Sequence, residues 1–574
     1  MKPTFLSWCI LLASLPLLLL AKKPIQKAYC THTMPRGASN ADYYPTPPTA
    51  PLSKKASTKP HAPHTQELPF FAGNFTKGLE HNKKTGLLTH KGQENYKKLL
   101  KALSSGKEGD FNAITYAGSF TFAHPHEACS LDVKELASFH IPSFPPLSSP
   151  EAAANLMEVY LMALCRDVSF NEYGTGKNTD ANGKGGSLTK DAASYIQALG
   201  RAYKGPRTIK GKVDTSVLFR SFSQGSCTGP YISQFLLLPL NTLLYSIYSP
   251  HLHLNCLEKA PFVFQDQMYP IAAARKDFGV SFSDFVALQN GTIPVPYSKS
   301  DYDSSAKRFI MTGRDLASYM HFDRPYEMYY NALTLLFTLG FPYRKKNFYS
   351  LAWVWVAAVS LEALKTVWVE KWRISRVLRP EAFAGLVHNT VATSTNPFNL
   401  DSSLFVPHGG IDLLALTKSH NSRQGAATYL LSLAYPEGSP LHPSYPQAHS
   451  TVAGACITII KAFFDNSVKI IHHTIPVKPD PSDTTKLIPL VDEDEQLLTV
   501  GSELDKLACN IGMGRNFAGI HYRADLDEGL RLGEQIACRY LKKQAATLQG
   551  CKEFVLTSFD GRLVRITPHS IEFS

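Results

Sequence analysis

The chain has 574 residues, of which 44% are hydrophobic and 18% charged, and its formal net charge is +12. The length allows two or three domains, or one large helical body. The positive charge does not indicate nucleic-acid binding, because the body of the chain has no dense basic run with interleaved aromatic residues. Lys54, Lys55 and Lys59 fall instead in a low-complexity segment. Composition therefore favours a globular protein, and the net positive charge does not predict a nucleic-acid-binding protein.

The N-terminal segment predicts export. Lys2 is followed by an apolar stretch, 6–20, which is short for a membrane-spanning helix and typical of a secretory signal. We predict a signal peptide over residues 1–21. An uncleaved N-terminal anchor is the alternative, because no clean small-x-small cleavage site is visible. Residues 22–69 are rich in Pro, Thr, Lys and His and predict a disordered linker, so the mature protein is expected to be secreted, periplasmic or at the cell surface.

Apolar residues recur at helical spacing along most of the remaining chain, which predicts an all-α fold. The predicted helices are Pro150–Cys165, Gly229–Tyr248, Arg314–Leu339, Leu351–Arg376, Ala448–Phe464, Leu504–Ile511 and Leu526–Ala545. Two interruptions rich in glycine or lysine, Tyr173–Ser187 and Pro476–Glu495, predict loops. The segment Phe554–Phe573 alternates like strands and predicts a small β-hairpin that turns at Asp560-Gly561. We predict a single large helical domain over residues 70–574.

Three short blocks in the second half of the chain are rich in cationic groups and imidazoles. They are residues 371–380 (KWRISRVLRP), 435–450 (YPEGSPLHPSYPQAHS) and 514–525 (GRNFAGIHYRAD). The side chains they offer are Lys371, Arg379, His442, His449, Arg515 and His521. A buried trianionic oxide needs charge-assisted donors on several faces; guanidinium matches two oxygens at once and ammonium acts as a point charge. The blocks therefore predict a site, within about residues 310–545, for phosphate or an anion of similar shape.

The spacing within the blocks suggests how these side chains converge. Lys371 and Arg379 are eight residues apart, which leaves them roughly 80° apart around a helix, so both can face one cavity. Arg515 and His521 would diverge on an unbroken helix, but Gly519 between them allows the chain to turn. Asp525 follows His521 at i+4 and is placed to orient its imidazole ring.

Each of these residues also has an ordinary structural interpretation. Lys371 and Arg379 follow a long apolar helix and could be its solvated end, which the helix dipole favours. His442 and His449 could be loop histidines, and His521 a hydrogen-bonded core histidine. The anion-site interpretation is preferred because all the residues occur together, in order, with suitable gaps.

The spacing Lys371-x7-Arg379-Pro380, HPSYPxxH and Arg515-x5-His521-x3-Asp525 resembles that of the vanadium-dependent haloperoxidases. The seven-residue gap after the lysine and the presence of His442 make the algal bromoperoxidases the nearer branch. The likeness extends from about Phe71 to Leu541. It runs through the blocks FTKGLEHN (75–82), MEVYLMALCRDVSF (157–170), GPYISQFLL (229–237) and TGRDLASYMHFD (312–323).

The resemblance implies two four-helix bundles with a vanadate site in the second. It implies that the reaction is oxidation of halide by hydrogen peroxide to hypohalous acid, which halogenates an organic acceptor, with bromide or iodide favoured over chloride. Members of the family are commonly homo-oligomers. The implied roles are metal ligand for His521, neutralisation of vanadate oxygens for Lys371, Arg379 and Arg515, polarisation of bound peroxide for Lys371, acid–base chemistry for His449 and modulation of halide oxidation for His442.

The sequence departs from the family pattern at one place in the pocket. Where the family has Ser-Gly in HPSYPSGH, this chain has Gln447-Ala448. These positions are expected to contact the vanadate oxygens, but Gln447 has a longer arm than serine and Ala448 adds a methyl group. Losing one hydrogen bond to a charged group weakens binding by roughly 10- to 100-fold. Two alternatives follow: an acid phosphatase that uses His521 as a phosphohistidine nucleophile, and a non-catalytic anion-binding relative.

Overall fold

The computed structural model describes residues 68–131, 139–175, 188–239, 267–296, 298, 301–322, 326–344, 349–491 and 493–574. In these ranges the protein is mostly helical, with thirteen α-helices and three small, separate β-sheets. The all-α prediction is therefore confirmed. The predicted signal peptide (1–21) and all but the last two residues of the predicted linker (22–69) lie outside the described residues.

The helices, in chain order, have the following bounds: α1 His90–Ser105, α2 Glu108–Asn112, α3 Pro150–Cys165, α4 Leu188–Ala198, α5 Phe282–Gln289, α6 Gly313–Tyr319, α7 Glu327–Thr338, α8 Tyr349–Val369, α9 Pro380–Thr393, α10 Leu413–Ser422, α11 Ala448–Phe463, α12 Val500–Phe517 and α13 Arg523–Thr547. The prediction for α3 has the observed bounds, because Ser149 caps the helix and Pro150 occupies its first turn. The helix predicted at Leu504–Ile511 is longer, since Thr499 and Ser502 form a capping box at the start of α12.

Four of these helices form a bundle in the second half of the chain. Helix α11 packs against α8, α12 and α13, and α13 in turn contacts α8 and α12. Almost every residue of α11 is buried, as expected for a helix surrounded by the other three. Helix α8 and the turn after it, Ser350–Ser375, are apolar and long enough to cross a membrane, but 56% of the apolar window is buried inside the protein. The packing on α11 gives α8 the role of a core helix of this bundle.

Two predicted helices are not formed as expected. The described part of Gly229–Tyr248 contains only a 3-10 turn, Gln234–Leu236, and residues 240–248 lie outside the described residues. Side chains of α12 take up its backbone donors: Asn510 accepts from Ser233 N at 2.9 Å and Glu503 from Gln234 N at 2.8 Å. These tertiary hydrogen bonds replace the helical ones.

The segment predicted as one helix over Arg314–Leu339 is broken in two. Helix α6 ends at Tyr319, and α7 begins at Glu327 after Tyr326, which has a left-handed backbone with φ 67°. A right-handed helix cannot continue through that conformation. Periodicity alone did not reveal the break.

The strands pair locally. Strands β1 (Tyr269–Ala272) and β2 (Tyr302–Arg308) are antiparallel, as are β3 (Val477–Pro479) and β4 (Leu487–Pro489). The β3–β4 ladder lies in the segment 476–495, so the prediction of a loop there is wrong: main-chain pairing forms across a short turn. The other predicted loop, 173–187, lies outside the described residues beyond Thr175.

The C-terminal hairpin is confirmed, with a third strand added. Strand β5 (Phe554–Thr557) pairs with β6 (Leu563–Ile566), and β6 pairs with β7 (Ile571–Phe573). The β5–β6 turn contains Asp560-Gly561, as predicted, and Gly561 has φ 79°. The sheet order is β5-β6-β7.

Candidate anion-binding site

The first block turns sharply between its two cations. Helix α8 ends in a π turn, Glu370–Ser375, in which Arg376 N donates to Lys371 O at 2.9 Å. Arg376 then adopts φ 46°, and Arg379 precedes the first residue of α9. The expectation that Lys371 and Arg379 share one helix is therefore wrong. The turn still buries both side chains, which are 0% and 1% exposed.

The ammonium group of Lys371 is held by the second block. Its Nζ donates to the carbonyl oxygens of Pro443 at 2.7 Å and Ser444 at 2.6 Å. Because an ammonium has three N–H donors, one remains beyond these two carbonyls. Lys371 is thus anchored by the loop that leads into α11, with a donor to spare for a ligand.

Arg379 connects the second and third blocks. Its Nε donates to His442 O at 2.9 Å and its Nη1 to Ile520 O at 2.8 Å. The same guanidinium approaches two imidazoles, with Nη1 2.8 Å from Nε2 of His521 and Nη2 3.0 Å from Nδ1 of His442. Arg379 therefore lies at the centre of the cluster.

His521 is held in a single tautomer. Its Nδ1 lies 2.6 Å from Oδ2 of Asp525, and its Nε2 faces a guanidinium that has no acceptor. Nδ1 therefore carries the proton and donates to the carboxylate, and Nε2 presents a lone pair. The predicted i+4 pair is present, although His521 itself lies before α13, which begins at Arg523.

Ser444 was not singled out from the sequence, although it lies inside the HPSYP motif. Its hydroxyl donates to Oδ2 of Asp525, the same oxygen that accepts from His521 and from Tyr522 N. Oδ1 of Asp525 is buried with no hydrogen-bond partner. The serine thus helps to keep the Asp525 carboxylate beneath the imidazole.

Arg515 reaches the cluster from the end of α12. Gly519, with φ 84°, makes the predicted turn between Arg515 and His521. Arg515 Nη1 donates to Met320 O at 3.0 Å, and the guanidinium lies 5.8 Å from the centre of the Tyr435 ring. Its Nε is buried with no hydrogen-bond partner, which leaves a charged donor available to an anion.

Burial is the main cause of the pKa shifts in the cluster, followed by the charges of neighbouring residues. Burial and then Arg379 lower the pKa of Lys371, and burial lowers the pKa of Arg379 to about 9. Burial, followed by Arg379, holds the pKa of both His442 and His521 well below the usual value, so both rings are neutral at pH 7. Burial raises the pKa of Asp525 to about 6. The cations thus lie near Asp525, with Glu370 also acting on Lys371 and Glu381 on Arg379.

The remaining histidines occupy different depths. His442 is buried, with its ring 5.0 Å from that of Trp368 in an edge-to-face contact. The other side of Trp368 stacks on His124 at 4.7 Å. His449, the second residue of α11, is only partly buried. His442 therefore belongs to the buried cluster, whereas His449 is more exposed.

The unusual pair Gln447-Ala448 lies at the start of α11. The side chain of Gln447 is fully buried; its Nε2 donates to Gly512 O at 3.2 Å and its Oε1 accepts from the Ser450 hydroxyl. Its backbone N donates to Asp525 O at 2.9 Å. Ala448 is buried beside it. The amide of Gln447 is thus engaged in helix packing, while its main chain braces the residue that orients His521.

The donor set fits an oxyanion bound through one histidine. The residues that the structure describes contain no group of three or more His, Cys, Asp or Glu side chains placed to hold a metal cation. The cluster instead offers two guanidiniums, an ammonium and Nε2 of His521, an acceptor nitrogen that Arg379 Nη1 approaches to 2.8 Å. Vanadate, a tetrahedral anion that takes one imidazole ligand, suits these residues.

Comparisons with known proteins agree on one family. Residues 419–550 match the family model described as the VCPO second helical-bundle domain. The chain is 31% identical to a vanadium-dependent bromoperoxidase of Corallina pilulifera, covering 87% of this chain and 91% of the relative. It is 32% identical to one of Ascophyllum nodosum, covering 77% of each.

A solved structure shares the fold. The homohexameric structure of the second vanadate-dependent bromoperoxidase of Ascophyllum nodosum superposes with a TM-score of 0.73 at 24% identity. The match covers 88% of this chain and 86% of that one.

Proposed function

This chain belongs to the vanadium-dependent bromoperoxidases, and from that membership we propose that it oxidises bromide or iodide with hydrogen peroxide. Hypohalous acid is the product, and it halogenates an organic acceptor. The observation that carries the proposal is the cluster of three buried cations around the accepting Nε2 of His521. The acid-phosphatase alternative is not favoured, since the relatives are named bromoperoxidases.

The cofactor we propose is vanadate, with His521 as its protein ligand. Lys371, Arg379 and Arg515 would neutralise its oxygens, because all three are cationic and buried. When bound, vanadate supplies a Lewis-acidic centre that activates peroxide without changing oxidation state. The protein's own part is to hold that anion and to keep the accepting nitrogen of His521 aimed at it.

Asp525 and Ser444 orient the ligand. Asp525 accepts the Nδ1 proton of His521 and thereby keeps the lone pair on Nε2. A carboxylate behind a ligating imidazole also raises its basicity. The hydroxyl of Ser444 fixes the carboxylate in turn. This chain of contacts makes Nε2 a better donor to a bound anion.

Proton delivery falls to groups around the cations. Hydrogen peroxide, halide and one proton give hypohalous acid and water, so the reaction consumes a proton. Lys371 has one N–H beyond its two carbonyl partners and can polarise bound peroxide. We propose His449 as the acid–base residue, because its partial exposure allows exchange of protons with solvent. His442, buried and neutral between Arg379 and Trp368, is proposed to tune halide oxidation.

The test is halogenation of a phenol-type dye by the purified apo-protein with hydrogen peroxide and bromide or iodide. Orthovanadate should restore turnover in a saturable way, and phosphate should suppress it by competing for the same cations. Hydrolysis of a phosphomonoester without halogenation would contradict the proposal. Binding of vanadate without turnover would instead indicate a non-catalytic relative.

We further propose that the protein is a homo-oligomer. A relative with the same fold is homohexameric, and the resemblance to the family implies a dimer or a larger assembly. Light scattering coupled to size-exclusion chromatography of the purified protein would measure a mass that is a multiple of the chain mass. A monomer at micromolar concentration would contradict it.

Export is the corresponding proposal for location. It rests on the apolar segment 6–20 after Lys2. N-terminal sequencing of protein recovered outside the expressing cell should begin near residue 22. Retention of residues 1–21 on membrane-associated protein would indicate the anchor instead.

A further inference from the structure

A buried Lys–Glu pair lies directly behind the anion site. Nζ of Lys77 is 2.8 Å from Oε1 of Glu381, and both residues are 2% exposed. Glu381 is the second residue of α9, two positions after Arg379. Lys77 comes from the FTKGLEHN block, one of the stretches of family likeness that the site itself does not use.

The pair joins four segments of the chain: that of Lys77, α9 with Glu381, α5 with Gln289, and the loop 437–439. Oε1 of Glu381 also accepts from Nε2 of Gln289 at 3.1 Å, and Oε2 accepts from Ser439 N at 2.9 Å. Lys77 Nζ donates in addition to Glu437 O at 2.9 Å. The carboxylate and the ammonium therefore both grip the loop 437–439, which leads to His442.

The loop is shaped to allow this grip. Gly438 has φ 64°, and a Cβ there would lie 2.6 Å from Oε2 of Glu381 and 3.2 Å from Nζ of Lys77. Only glycine lets the main chain come so close to the pair. The structure thus explains why the segment YPEGSP has a glycine at position 438, which the sequence alone did not explain.

Lys77 is held in place by main-chain contacts of its own segment, residues 74–78. Phe75 N donates to Arg376 O at 2.8 Å, and Asn74 pairs with Val377. These main-chain contacts brace the link between Lys371 and Arg379. Gly78 N donates to Gln289 O at 2.7 Å. The segment 74–78 therefore fixes both the link and the lysine.

Arg379 depends on two of the segments that the pair joins. Its main chain precedes α9, where Glu381 lies, and its guanidinium contacts the carbonyl and ring of His442 at the end of the loop. Burial lowers the pKa of Arg379, and the charge of Glu381 acts against this. We propose that Lys77 and Glu381 are positioning residues that set Arg379 and His442 for binding of the oxyanion. This inference rests on the proposed function of the cluster.

The test uses the opposite charges of the two residues. Lys77→Met removes a positive charge and Glu381→Gln removes a negative one. If the pair contributed charge alone, the first variant would bind an anion more weakly and the second more tightly. If it positions Arg379, both variants lose affinity. In Glu381→Gln the NH₂ of the new amide must face either Lys77 and Gln289 or Ser439 N, donors that a carboxylate oxygen had accepted from, and this releases the loop.

Orthovanadate binding to the apo-protein is measured by titration calorimetry, so the readout is independent of turnover. We expect about a tenfold loss of affinity in each variant, the size of effect of one lost charged hydrogen bond. The matched control is Lys506–Glu503 in α12, a buried pair of the same chemistry at 2.7 Å. Lys506→Met and Glu503→Gln should lower Tm similarly and leave the affinity unchanged.

Each outcome decides the matter. Opposite changes in Lys77→Met and Glu381→Gln, unchanged affinity in both, or equal losses in the control variants would overturn the positioning role. If Lys77→Met fails to fold, the nearly isosteric Glu381→Gln decides alone, since tighter or unchanged binding contradicts the proposal. A parent protein that binds no orthovanadate would overturn the proposed function, whereas a binding parent with unaffected variants overturns only this inference.

Discussion

The imidazole of His521 has its tautomer fixed by its neighbours. Nδ1 donates a hydrogen bond to Asp525 and Nε2 faces the Arg379 guanidinium, so Nε2 carries a lone pair and not an N–H. Neutral imidazole is also favoured because burial and the nearby cations lower the pKa of His521. The orientation of the accepting Nε2 therefore depends on the carboxylate of Asp525 on the other side of the ring.

The variant Asp525→Asn should weaken vanadate binding. An asparagine keeps an oxygen acceptor for Nδ1 by placing its NH₂ where Oδ1 has no partner, but it carries no negative charge, so Nε2 becomes less basic. Loss of such an outer partner lowers metal affinity about 10- to 100-fold. Titration calorimetry with orthovanadate measures it. The control is Asp527→Asn, a buried carboxylate of the same helix that accepts from Ser221; equal losses in the two variants would contradict the orienting role.

The double change Gln447→Ser with Ala448→Gly should strengthen vanadate binding. The side-chain amide of Gln447 hydrogen-bonds to Gly512 O and the Ser450 hydroxyl. A serine hydroxyl at this position is expected to donate to the anion instead. One added hydrogen bond to a charged group predicts roughly a tenfold gain in affinity. The same change leaves space where the buried amide was, so Tm should fall. Unchanged affinity would mean that these positions do not contact the anion in this chain.

At the scale of elements, the buried cluster forms where helices begin or end. The end of α8, the start of α9, the start of α11 and the turn between α12 and α13 each deliver one part of it. Gly519 makes the last of these turns, and a Cβ there would lie 3.1 Å from both Leu433 Cδ2 and Ser432 O. The turn that carries His521 therefore has little room for a side chain at this position.

The variant Gly519→Ala is expected to lower both stability and vanadate affinity. A left-handed backbone costs a non-glycine residue about 1–2 kcal/mol, and the crowded methyl group shifts the turn that carries His521. Chemical denaturation and calorimetric titration measure the two effects. Gly550→Ala is the control: its φ is 79°, but no atom lies within 4 Å of its Cβ position. It should lose stability only, and a loss of affinity there would contradict the local explanation.

The C-terminal sheet is joined to α13 by a carboxyl group whose titration affects stability. Glu534 accepts from Phe559 N at 2.8 Å and lies near Lys461, Asp505 and Asp560. Burial raises its pKa to about 7. The folded state therefore holds a proton that the unfolded state releases near pH 4.5, so this contribution is present below that pH and is lost as pH rises through about 7.

The variant Glu534→Gln should not lose folding stability as pH rises through about 7. A glutamine keeps the acceptor for Phe559 N without an ionisable proton. At pH 8 it should be more stable than the parent by about 2–3 kcal/mol, with little difference at about pH 4.5. Denaturation midpoints across this pH range give the result. Glu108→Gln, an exposed position at the start of α2, should not change the pH profile; a parallel profile for Glu534→Gln would contradict the assignment.

How far the sequence predicted these elements depends on the range of the interaction involved. Helix α3 and the C-terminal hairpin follow from local caps and turn residues, and the three blocks identified the cations from their spacing. The break before Tyr326 and the β3–β4 ladder depend on local backbone conformations that periodicity does not encode. Lys77 and Glu381 are 304 residues apart, so no local pattern could pair them. Ser444 lay inside a recognised motif, but only its contact with Asp525 reveals its role.

At the scale of the whole molecule, the site joins distant parts of the chain. One large hydrophobic core extends from Phe144 to Ile566, and a second cluster packs residues near Phe75 and Tyr96 against Trp372 and Ala448. The pocket lies where these parts meet, since Trp372 follows Lys371 and Ala448 follows Gln447. Binding of an anion should therefore stabilise the entire fold.

The melting temperature of the apo-protein should rise with orthovanadate. A ligand at about a hundred times its Kd stabilises the folded state by about 2.7 kcal/mol, which for a chain of this size is about 2 °C in Tm. Phosphate should act in the same direction, and removal of vanadate by dialysis against a chelator should reverse the shift. Arg379→Ala should abolish it, whereas Arg562→Ala, on the C-terminal sheet, should retain it. An unchanged Tm in the parent at saturating vanadate would contradict the site.

The π turn at Glu370–Ser375 lies between Lys371 and Arg379, so the number of residues between them depends on how the helix ends. Such a turn holds one residue more than the α turn it replaces, so it absorbs a single inserted residue while the helix before it keeps its direction. A related chain with one residue fewer in this interval is expected to end its helix without the wider turn. The number of residues between the lysine and the arginine therefore predicts, from sequence alone, whether a relative has the π turn.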